Sequence, residues 1–202
     1  MRGGVLIGET SVTESGLKLS SDSIGYYMGA DAQLDKVPVH LAASYQTYAP
    51  TALSVSLPGV GEYELQAGTS VGHVLAGYGR EPLAAGIGWT SAVLNLENAV
   101  WGQDVTLLAS GPALGLMSRT SPTERVQLAG ELVYVPSAHL NVESAFLKYE
   151  AGKSDLWGLA LRGSVELWQD LRLEMGYNTS RMKVLGAEVT TGGYQIGGRY
   201  VF

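Results

Sequence analysis

The sequence has 202 residues and no cysteine. Without thiols, a disulfide-stabilised scaffold and a cysteine-ligated zinc or iron–sulfur site are excluded. Charge is also scarce, because Asp, Glu, Lys and Arg make up 16% of the chain, well below the ~25% of an average soluble domain. The 13 basic and 19 acidic residues give a net charge of −6, which argues against a general nucleic-acid binder.

Long hydrophobic runs are missing as well. Hydrophobic residues account for 46% of the chain, which excludes disorder, yet no run approaches the ~20 apolar residues of a membrane-spanning helix. Residues 5–7 form the only apolar run near the start, which is too short for a signal peptide. We expect either a cytosolic protein or a mature envelope protein without its signal peptide. No linker divides the chain, so we expect one domain over residues 1–202.

Alternation of apolar and polar residues recurs along the chain and is typical of strands with two unlike faces. It is clearest where Leu171, Leu173 and Met175 alternate with Arg172 and Glu174. We predict twelve strands. Ten would result if residues 51–57 and part of 62–77 belong to an outer loop, and eight long strands extending beyond a membrane are a further alternative. The twelve are 3–12, 22–34, 37–48, 51–57, 62–77, 83–96, 104–118, 125–135, 139–149, 156–168, 171–183 and 192–202.

Strand content this high is expected in an up-and-down antiparallel barrel, and strands of about ten residues can cross a bilayer. One face is too rich in small and polar residues to fill a soluble core. We therefore predict an all-β transmembrane barrel with a polar lumen and an apolar exterior. The lumen face would carry Gly29, Asp31, Gln33, His40, Ser44, Gln66, Gly68, Ser70, Gly86, Gly88 and Thr90. The lipid face would carry Ile24, Tyr26, Met28, Val39, Leu41, Leu53, Val55, Leu57, Ile87, Trp89 and Val93.

Aromatic residues gather near the ends of the predicted strands. Amphipathic rings suit the headgroup level of a bilayer, so this pattern predicts the two aromatic girdles of a membrane barrel. One rim would carry Tyr63, Tyr134, Trp168, Tyr200 and Phe202. The other rim would carry Tyr48, Tyr78, Tyr149 and Trp157.

The last strand ends in an aromatic residue that is in phase with the alternation before it. Its apolar face comprises Tyr194, Ile196, Gly198, Tyr200 and Phe202. This ending resembles the C-terminal assembly signal of bacterial outer-membrane β-barrel proteins, without pointing to a subfamily. The resemblance implies an outer-membrane location, recognition by the barrel-insertion machinery, and both termini in the periplasm.

If both termini lie on one side of the membrane, the number of strands must be even. Successive turns then alternate between the periplasmic and the outer side. Arg119 and other charges of the outer segments would form a solvated loop surface, or alternatively bind anionic lipid headgroups directly or through divalent cations. The periplasmic turns would be 35–36, 58–61, 97–103, 136–138 and 169–170. The outer segments would be 11–21, 49–50, 78–82, 119–124, 150–155 and 184–191.

The inward-facing charges are predicted to lie in the last five strands, opposite a nearly neutral wall. A turn at Gln169 pairs Glu166 with Arg172, and a turn between Gly152 and Lys153 pairs Glu143 with Arg162. Such charges are either one wall of a water-filled lumen that selects polar solutes or a salt-bridge network that closes a narrow barrel. The predicted network comprises Glu131, Glu143, Arg162, Glu166, Arg172, Glu174 and Arg199, with Arg162 diagonal to Glu174 and Arg199 nearby.

Catalytic and metal-binding motifs are not found. His40, His73 and His139 lack close metal-ligand spacing, and there is no nucleophile elbow. His40 and Ser44 share a strand face, but ~13 Å along a strand is too far for a serine–histidine pair. We expect the protein to have no enzymatic activity and to bind no metal or cofactor. The leading prediction is a porin-like passive channel for small polar solutes, and the alternative is a structural or surface-interaction barrel with a closed lumen.

Overall fold

The computed structural model describes residues 1–14, 17–34, 37–57, 61–100, 103–184 and 186–201, which form ten antiparallel strands. Each strand pairs with its neighbours in the sequence, and β1 pairs with β10, so the sheet closes into a barrel. The strands are β1 (Arg2–Glu14), β2 (Leu17–Gln33), β3 (Val39–Leu57), β4 (Gly61–Arg80), β5 (Leu83–Val100), β6 (Gln103–Thr120), β7 (Val126–Ser144), β8 (Lys148–Trp168), β9 (Leu171–Val184) and β10 (Ala187–Tyr200).

No helix among the described residues is long and apolar enough to span a membrane.

The prediction of twelve strands is wrong because two predicted turns are β-bulges. Pro50 lies within β3 where its pairing with β4 shifts, and Pro136 lies within β7 where its pairing with β8 shifts. Proline has no N–H to donate, so within sheets it occupies bulges and edges as well as turns. The ten-strand alternative gives the correct count. The count results from the two bulges and not from an outer loop over residues 51–57 and part of 62–77. The merged predictions are 37–48 with 51–57, and 125–135 with part of 139–149.

Merging these strands changes the end of the barrel at which several turns lie. We call the end with both termini proximal and the opposite end distal. The strands flanking 58–60 and 101–102, which are outside the described residues, reverse at the distal end, and those flanking 81–82 and 121–125 reverse at the proximal end. These four assignments are the opposite of the predicted ones. The predicted turns 49–50, 136–138 and 150–155 lie inside strands.

The strands are longer than a membrane requires. β8 has 21 residues and β4 has 20. At ~3.3 Å per residue and a tilt of ~40°, β8 rises about 50 Å along the barrel axis. The apolar band of an outer-membrane barrel is about 25 Å tall. On the longest strands about half of the length therefore extends beyond the hydrocarbon, whereas β1, β9 and β10, with 13 or 14 residues, extend beyond it by less.

The proximal half has the faces of a membrane barrel, and we call it the membrane zone. Its exterior exposes large apolar side chains, which need a hydrocarbon environment. They include Val5, Ile7, Ile24, Met28, Leu41, Val74, Ile87, Trp89, Leu114, Leu132, Leu161, Val165, Met175 and Ile196. Its interior carries the buried charged residues Arg2, Glu131, Glu174 and Arg199. The predicted apolar exterior is confirmed for this zone. Its interior is charged as predicted but also buries the aliphatic side chains of Leu6 and Leu75 completely.

The distal half has the opposite arrangement, and we call it the distal zone. Its exterior is polar and its interior is a continuous aliphatic core, as in a soluble barrel. Exposed residues include Glu9, Lys18, Asp22, Glu64, Asn95, His139, Lys153, Asp155 and Lys183. The core, which we call the distal plug, includes Leu53, Leu94, Leu107, Val135, Leu140, Leu156, Met182, Val184 and Val189.

This reversal explains the side chains whose predicted faces are wrong. Leu53 was predicted to face lipid but is 1% exposed within the distal plug. On β4, Ala67 belongs to the same plug, so Gly68 and Ser70 do not line the predicted polar lumen face at this level. The prediction placed the polar residues inside along the whole strand, whereas the inward face changes from polar to apolar between the two zones.

Candidate functional site in the barrel interior

The charged side chains of the membrane zone meet inside the barrel. Strand alternation brings Arg2, Asp31, Glu131, Arg162, Glu174 and Arg199 to the inner face, and His73 and Arg119 join them from β4 and β6. We call these eight residues the polar cluster. Each except His73 lies in the proximal part of its strand, below the distal plug.

Asp31 of β2 binds three guanidinium groups. Its Oδ1 accepts from Arg2 Nη1 at 2.9 Å, and its Oδ2 accepts from Arg199 Nη2 at 2.9 Å and from Arg119 Nη2. Arg199 also donates to Gln127 of β7. These contacts connect strands on opposite sides of the lumen, so the side chains cross the interior instead of lining it.

Glu131 of β7 is the second anionic centre, and its side chain is 4% exposed. Its Oε2 accepts from Arg162 Nη2 at 2.7 Å and lies 3.9 Å from Arg2 Nη2. Its Oε1 contacts His73 Nε2 of β4. A buried carboxylate needs such partners, since an unpaired charge in the interior costs several kcal/mol.

Glu174 of β9 is the first member of a chain of hydrogen bonds that continues through uncharged side chains. Its Oε1 accepts from Tyr27 Oη at 3.2 Å and from Gln195 Nε2 at 3.3 Å. Asn178 donates to Gln195 Oε1 at 3.3 Å and accepts from Tyr48 Oη at 2.8 Å. Tyr48 was predicted in an aromatic girdle, and this is wrong because it is buried inside the barrel.

Of the two ion pairs predicted from turn positions, one forms in the structure and the other does not. The structure places Glu166 opposite Arg172, with Oε2 and Nη2 3.3 Å apart. The predicted pairing of Glu143 with Arg162 is wrong, since Glu143 lies in the distal zone and pairs with Lys148. The β7–β8 turn is at 145–147 rather than at Gly152, which shifts the register between these strands.

The other predicted network residues lie within the polar cluster. Arg162 is opposite Gly176, and Gly197 is opposite Glu174. Because neighbouring inward residues are two apart, this register puts Arg162 and Arg199 both diagonal to Glu174.

The prediction of a nearly neutral opposite wall is wrong. Arg2 and Asp31 come from β1 and β2, and Arg119 from β6. Arg2 was outside the first predicted strand, and Arg119 was assigned to an outer segment. For Arg2 the available signal was its phase, which matches the inward positions Gly4 and Gly8 on the same strand.

The cavities found in the interior of the described part of the barrel are small. Two of about 50 Å³ lie in the membrane zone and share Arg2, Glu131 and Arg162 in their walls. A third of about 20 Å³ lies next to the distal plug. A cavity of about 50 Å³ holds about three or four water molecules, so these spaces are far too small for a hydrated solute.

A serine, a histidine and a glutamate meet beside one of these cavities. Ser44 Oγ lies 3.0 Å from His73 Nε2, which is also the nitrogen that contacts Glu131, and 3.4 Å from His73 Nδ1. In a catalytic triad the serine and the carboxylate bind opposite ring nitrogens, whereas here the shorter contact of Ser44 is to the nitrogen that Glu131 contacts. We assign these contacts to the hydrogen bonding of the polar cluster.

The remaining histidines have separate partners. His40 Nε2 donates to the carbonyl oxygen of Gly79 at 3.1 Å, and His139 Nδ1 is 3.0 Å from Glu150 in the distal zone. Among the described residues, no group of three or more acidic or histidine side chains is placed to hold a metal ion.

No family model and no curated protein matches the sequence. Solved structures resemble the chain at low sequence identity, one of them with a TM-score above 0.5. The outer-membrane protease OmpT of Escherichia coli is 12% identical with a TM-score of 0.58, covering 100% of this chain and 95% of that one. The Neisserial surface protein NspA is 13% identical with a TM-score of 0.48, covering 100% of this chain and 96% of that one. The Pseudomonas putida toluene transporter TodX is 10% identical with a TM-score of 0.40, covering 100% of this chain and 89% of that one. The chain has the fold of the bacterial outer-membrane β-barrels.

An outer-membrane location agrees with this fold and with the apolar exterior of the membrane zone. On β10, Tyr194, Ile196 and Tyr200 face outward, as the resemblance of this strand to the assembly signal requires, and Phe202 lies outside the described residues. The periplasmic termini implied by that resemblance would put the distal zone outside the cell.

The aromatic side chains of this barrel form a different pattern from the predicted girdles. Tyr78 and Trp168 lie at the proximal rim, although they were predicted on opposite rims. Tyr134 faces Trp157 across β7 and β8 where the exterior changes from apolar to polar. Tyr177 and Tyr194 also pair, with ring centroids 5.5 Å apart. Tyr149 belongs to the distal zone, and the side chain of Tyr63 lies outside the described part.

Proposed function

We propose that this protein is an outer-membrane barrel with a closed lumen, which acts as a structural or surface-interaction protein through its distal zone. The distal plug is the observation that carries this proposal. Its aliphatic side chains fill the interior of the distal half and are 8% exposed or less. A passive path for polar solutes needs a continuous polar or hydrated lining, which an aliphatic core of native density does not provide.

The polar cluster supports the same proposal from the membrane zone. Asp31 and Glu131 bind guanidinium groups from several strands, so charged side chains bridge the lumen. Little charge is left unpaired to attract and select ions. The cavities of about 50 Å³ beside these bridges favour the closed barrel over the porin-like channel.

The distal zone supplies the surface through which such a protein would act. Its exterior is acidic on one side, where β4–β6 present Glu64, Glu97 and Asp104. The β8–β9 side carries Lys153, Arg181 and Lys183 together with acidic residues. Arg181, which pairs with Glu188, is opposite Trp157 at the edge of the apolar exterior, a position suited to anionic lipid headgroups. The acidic side favours partners of complementary charge.

Conductance in a planar lipid bilayer tests the closed lumen. Refolded protein, shown to be folded by its heat-modifiable gel mobility, is added to bilayers in which a porin gives discrete current steps. We expect insertion without current steps, because the distal plug blocks the path. Reproducible steps of one size that appear with this protein would contradict the proposal and support the channel.

A further inference from the structure

One of the two interior cavities of about 50 Å³ has buried hydrogen-bond donors without partners in its wall. We call it the middle cavity; it has a volume of about 50 Å³, and Arg2, Thr90, Glu131 and Arg162 contribute to its wall. Arg2 Nε and Nη2, Arg162 Nε and Thr90 Oγ1 are buried and have no hydrogen-bond partner among the described residues. The side chains of Arg2 and Arg162 are only 4% and 9% exposed.

The carboxylates near these donors are already engaged. Both oxygens of Glu131 have partners, in His73 and Arg162, and both oxygens of Asp31 bind guanidinium groups. A buried donor without a partner costs ~1–3 kcal/mol, and more when it is charged. These donors therefore need an acceptor that the described residues do not provide.

The charges of the polar cluster point to the sign of that acceptor. The guanidinium groups of Arg2, Arg119, Arg162 and Arg199 exceed the carboxylates of Asp31, Glu131 and Glu174 by one positive charge. In an interior shielded from bulk water, an unbalanced charge is costly. A monovalent anion would satisfy the donors and balance the charge.

We propose that the middle cavity binds a small monovalent anion of the halide class, chloride in ordinary salt solutions. Its ligands are the free N–H groups of Arg2 and Arg162 and the hydroxyl of Thr90. The volume corresponds to about three or four waters, so it admits a halide with one or two waters. A sulfate dianion would bring a second negative charge, which the single positive excess does not balance. Water alone could accept the hydrogen bonds but would leave the positive charge unbalanced. The anion would link β1 to β8 across the lumen.

Stability in different salts tests this site. Protein in detergent micelles is heated at constant ionic strength in sodium gluconate with increasing chloride or bromide, and the unfolding midpoint is read from gel mobility. We expect the midpoint to rise with chloride and bromide and then to saturate. Gluconate and sulfate should give no saturable rise. Equal midpoints in all of these salts would overturn the proposal and leave water as the occupant.

A pair of matched variants assigns the effect to the middle cavity. Thr90→Val removes a hydroxyl from its wall. Thr69→Val removes an equally buried and unpartnered hydroxyl that lines the 20 Å³ cavity instead. We expect Thr90→Val to raise the half-saturating chloride concentration several-fold, and Thr69→Val to leave it unchanged. Equal responses of the two variants would overturn the assignment.

Anomalous diffraction from crystals grown in bromide gives a direct readout. We expect a bromide peak within hydrogen-bonding distance of the nitrogens of Arg2 and Arg162. A map that resolves the cavity and contains no such peak would overturn the proposal.

Discussion

Glu131 joins three distant parts of the chain. It is a residue of β7 that contacts Arg162 of β8, His73 of β4 and, at a longer distance, Arg2 of β1. Removing one partner of a buried ion pair typically costs ~3–5 kcal/mol, because the remaining charge stays in the interior. Exposed pairs contribute about 0–1 kcal/mol, since water screens them.

Replacement of Glu131 by Gln should therefore destabilise the barrel strongly. We expect the free energy of unfolding to fall by ~3–5 kcal/mol, as measured by urea titration in lipid vesicles. Glu166→Gln is the matched control, because Glu166 pairs with Arg172 and its side chain is 32% exposed. It should change the free energy by less than about 1 kcal/mol. Equal effects of both variants would show that the Glu131 contacts do not stabilise the fold.

Sequence phase predicts an inward face but not which charges meet on it. Arg162, Glu166, Arg172, Glu174 and Arg199 were found because their strands alternate clearly. Arg2 and Arg119 were missed because they lie at strand ends, where alternation is short and a charge is equally typical of a turn. The Glu131–His73 contact joins β7 and β4, which are not neighbours in the sheet, so no pairing register predicts it.

The seam between β1 and β10 is built from facing glycines. Gly4 is opposite Gly197, and Gly8 is opposite Gly193. A Cβ atom on Gly8 would lie 2.1 Å from the carbonyl oxygen of Gly192, and one on Gly4 would lie 2.1 Å from that of Ile196. Real Cβ atoms do not come this close to backbone, so the close approach of β1 and β10 requires residues without side chains at these positions.

Gly8→Ala should impair closure of the barrel, because the new methyl group displaces the backbone of β10. We expect a lower yield of the compact, heat-modifiable form after refolding. Gly3→Ala on the same strand is the control, since its Cβ would meet no atom nearer than 3.4 Å. A normal yield for Gly8→Ala would contradict the tight approach of the two strands.

Strand alternation and turn residues are sufficient to predict the barrel but not its strand count. Pro50 and Pro136 were interpreted as turns because proline is typical of both turns and bulges. Only pairing with the neighbouring strand distinguishes the two, and such pairing is a long-range contact. A turn predicted inside a real strand adds a reversal of the chain. The predicted direction of every later strand is then wrong until the next such error, which explains the misplaced turns and girdle residues.

The molecule as a whole combines two barrels with opposite faces in one sheet. The membrane zone is apolar outside and polar inside, whereas the distal zone is polar outside and apolar inside. A mean hydropathy of +0.09 is the average over both zones and reveals neither. The sequence-based prediction that the polar face is always inward holds only in the membrane zone, because water surrounds the exterior of the distal zone.

The absence of cysteine makes one measurement particularly direct. A single cysteine can be introduced on β7 at His139, Leu140 or Leu132 without competing thiols. His139 is exposed on the distal zone, Leu140 is 1% exposed in the distal plug, and Leu132 faces outward in the membrane zone. The rate of reaction with a charged maleimide then reports the access of water at each position.

The labelling rates in lipid vesicles test the central claim that a closed distal zone stands outside the membrane. We predict fast labelling of His139→Cys and slow labelling of both Leu140→Cys and Leu132→Cys, because only the first side chain meets water. Fast labelling of Leu140→Cys would show a water-filled lumen and contradict the distal plug. Labelling of His139→Cys as slow as that of Leu132→Cys would place the distal zone within the bilayer and contradict the account.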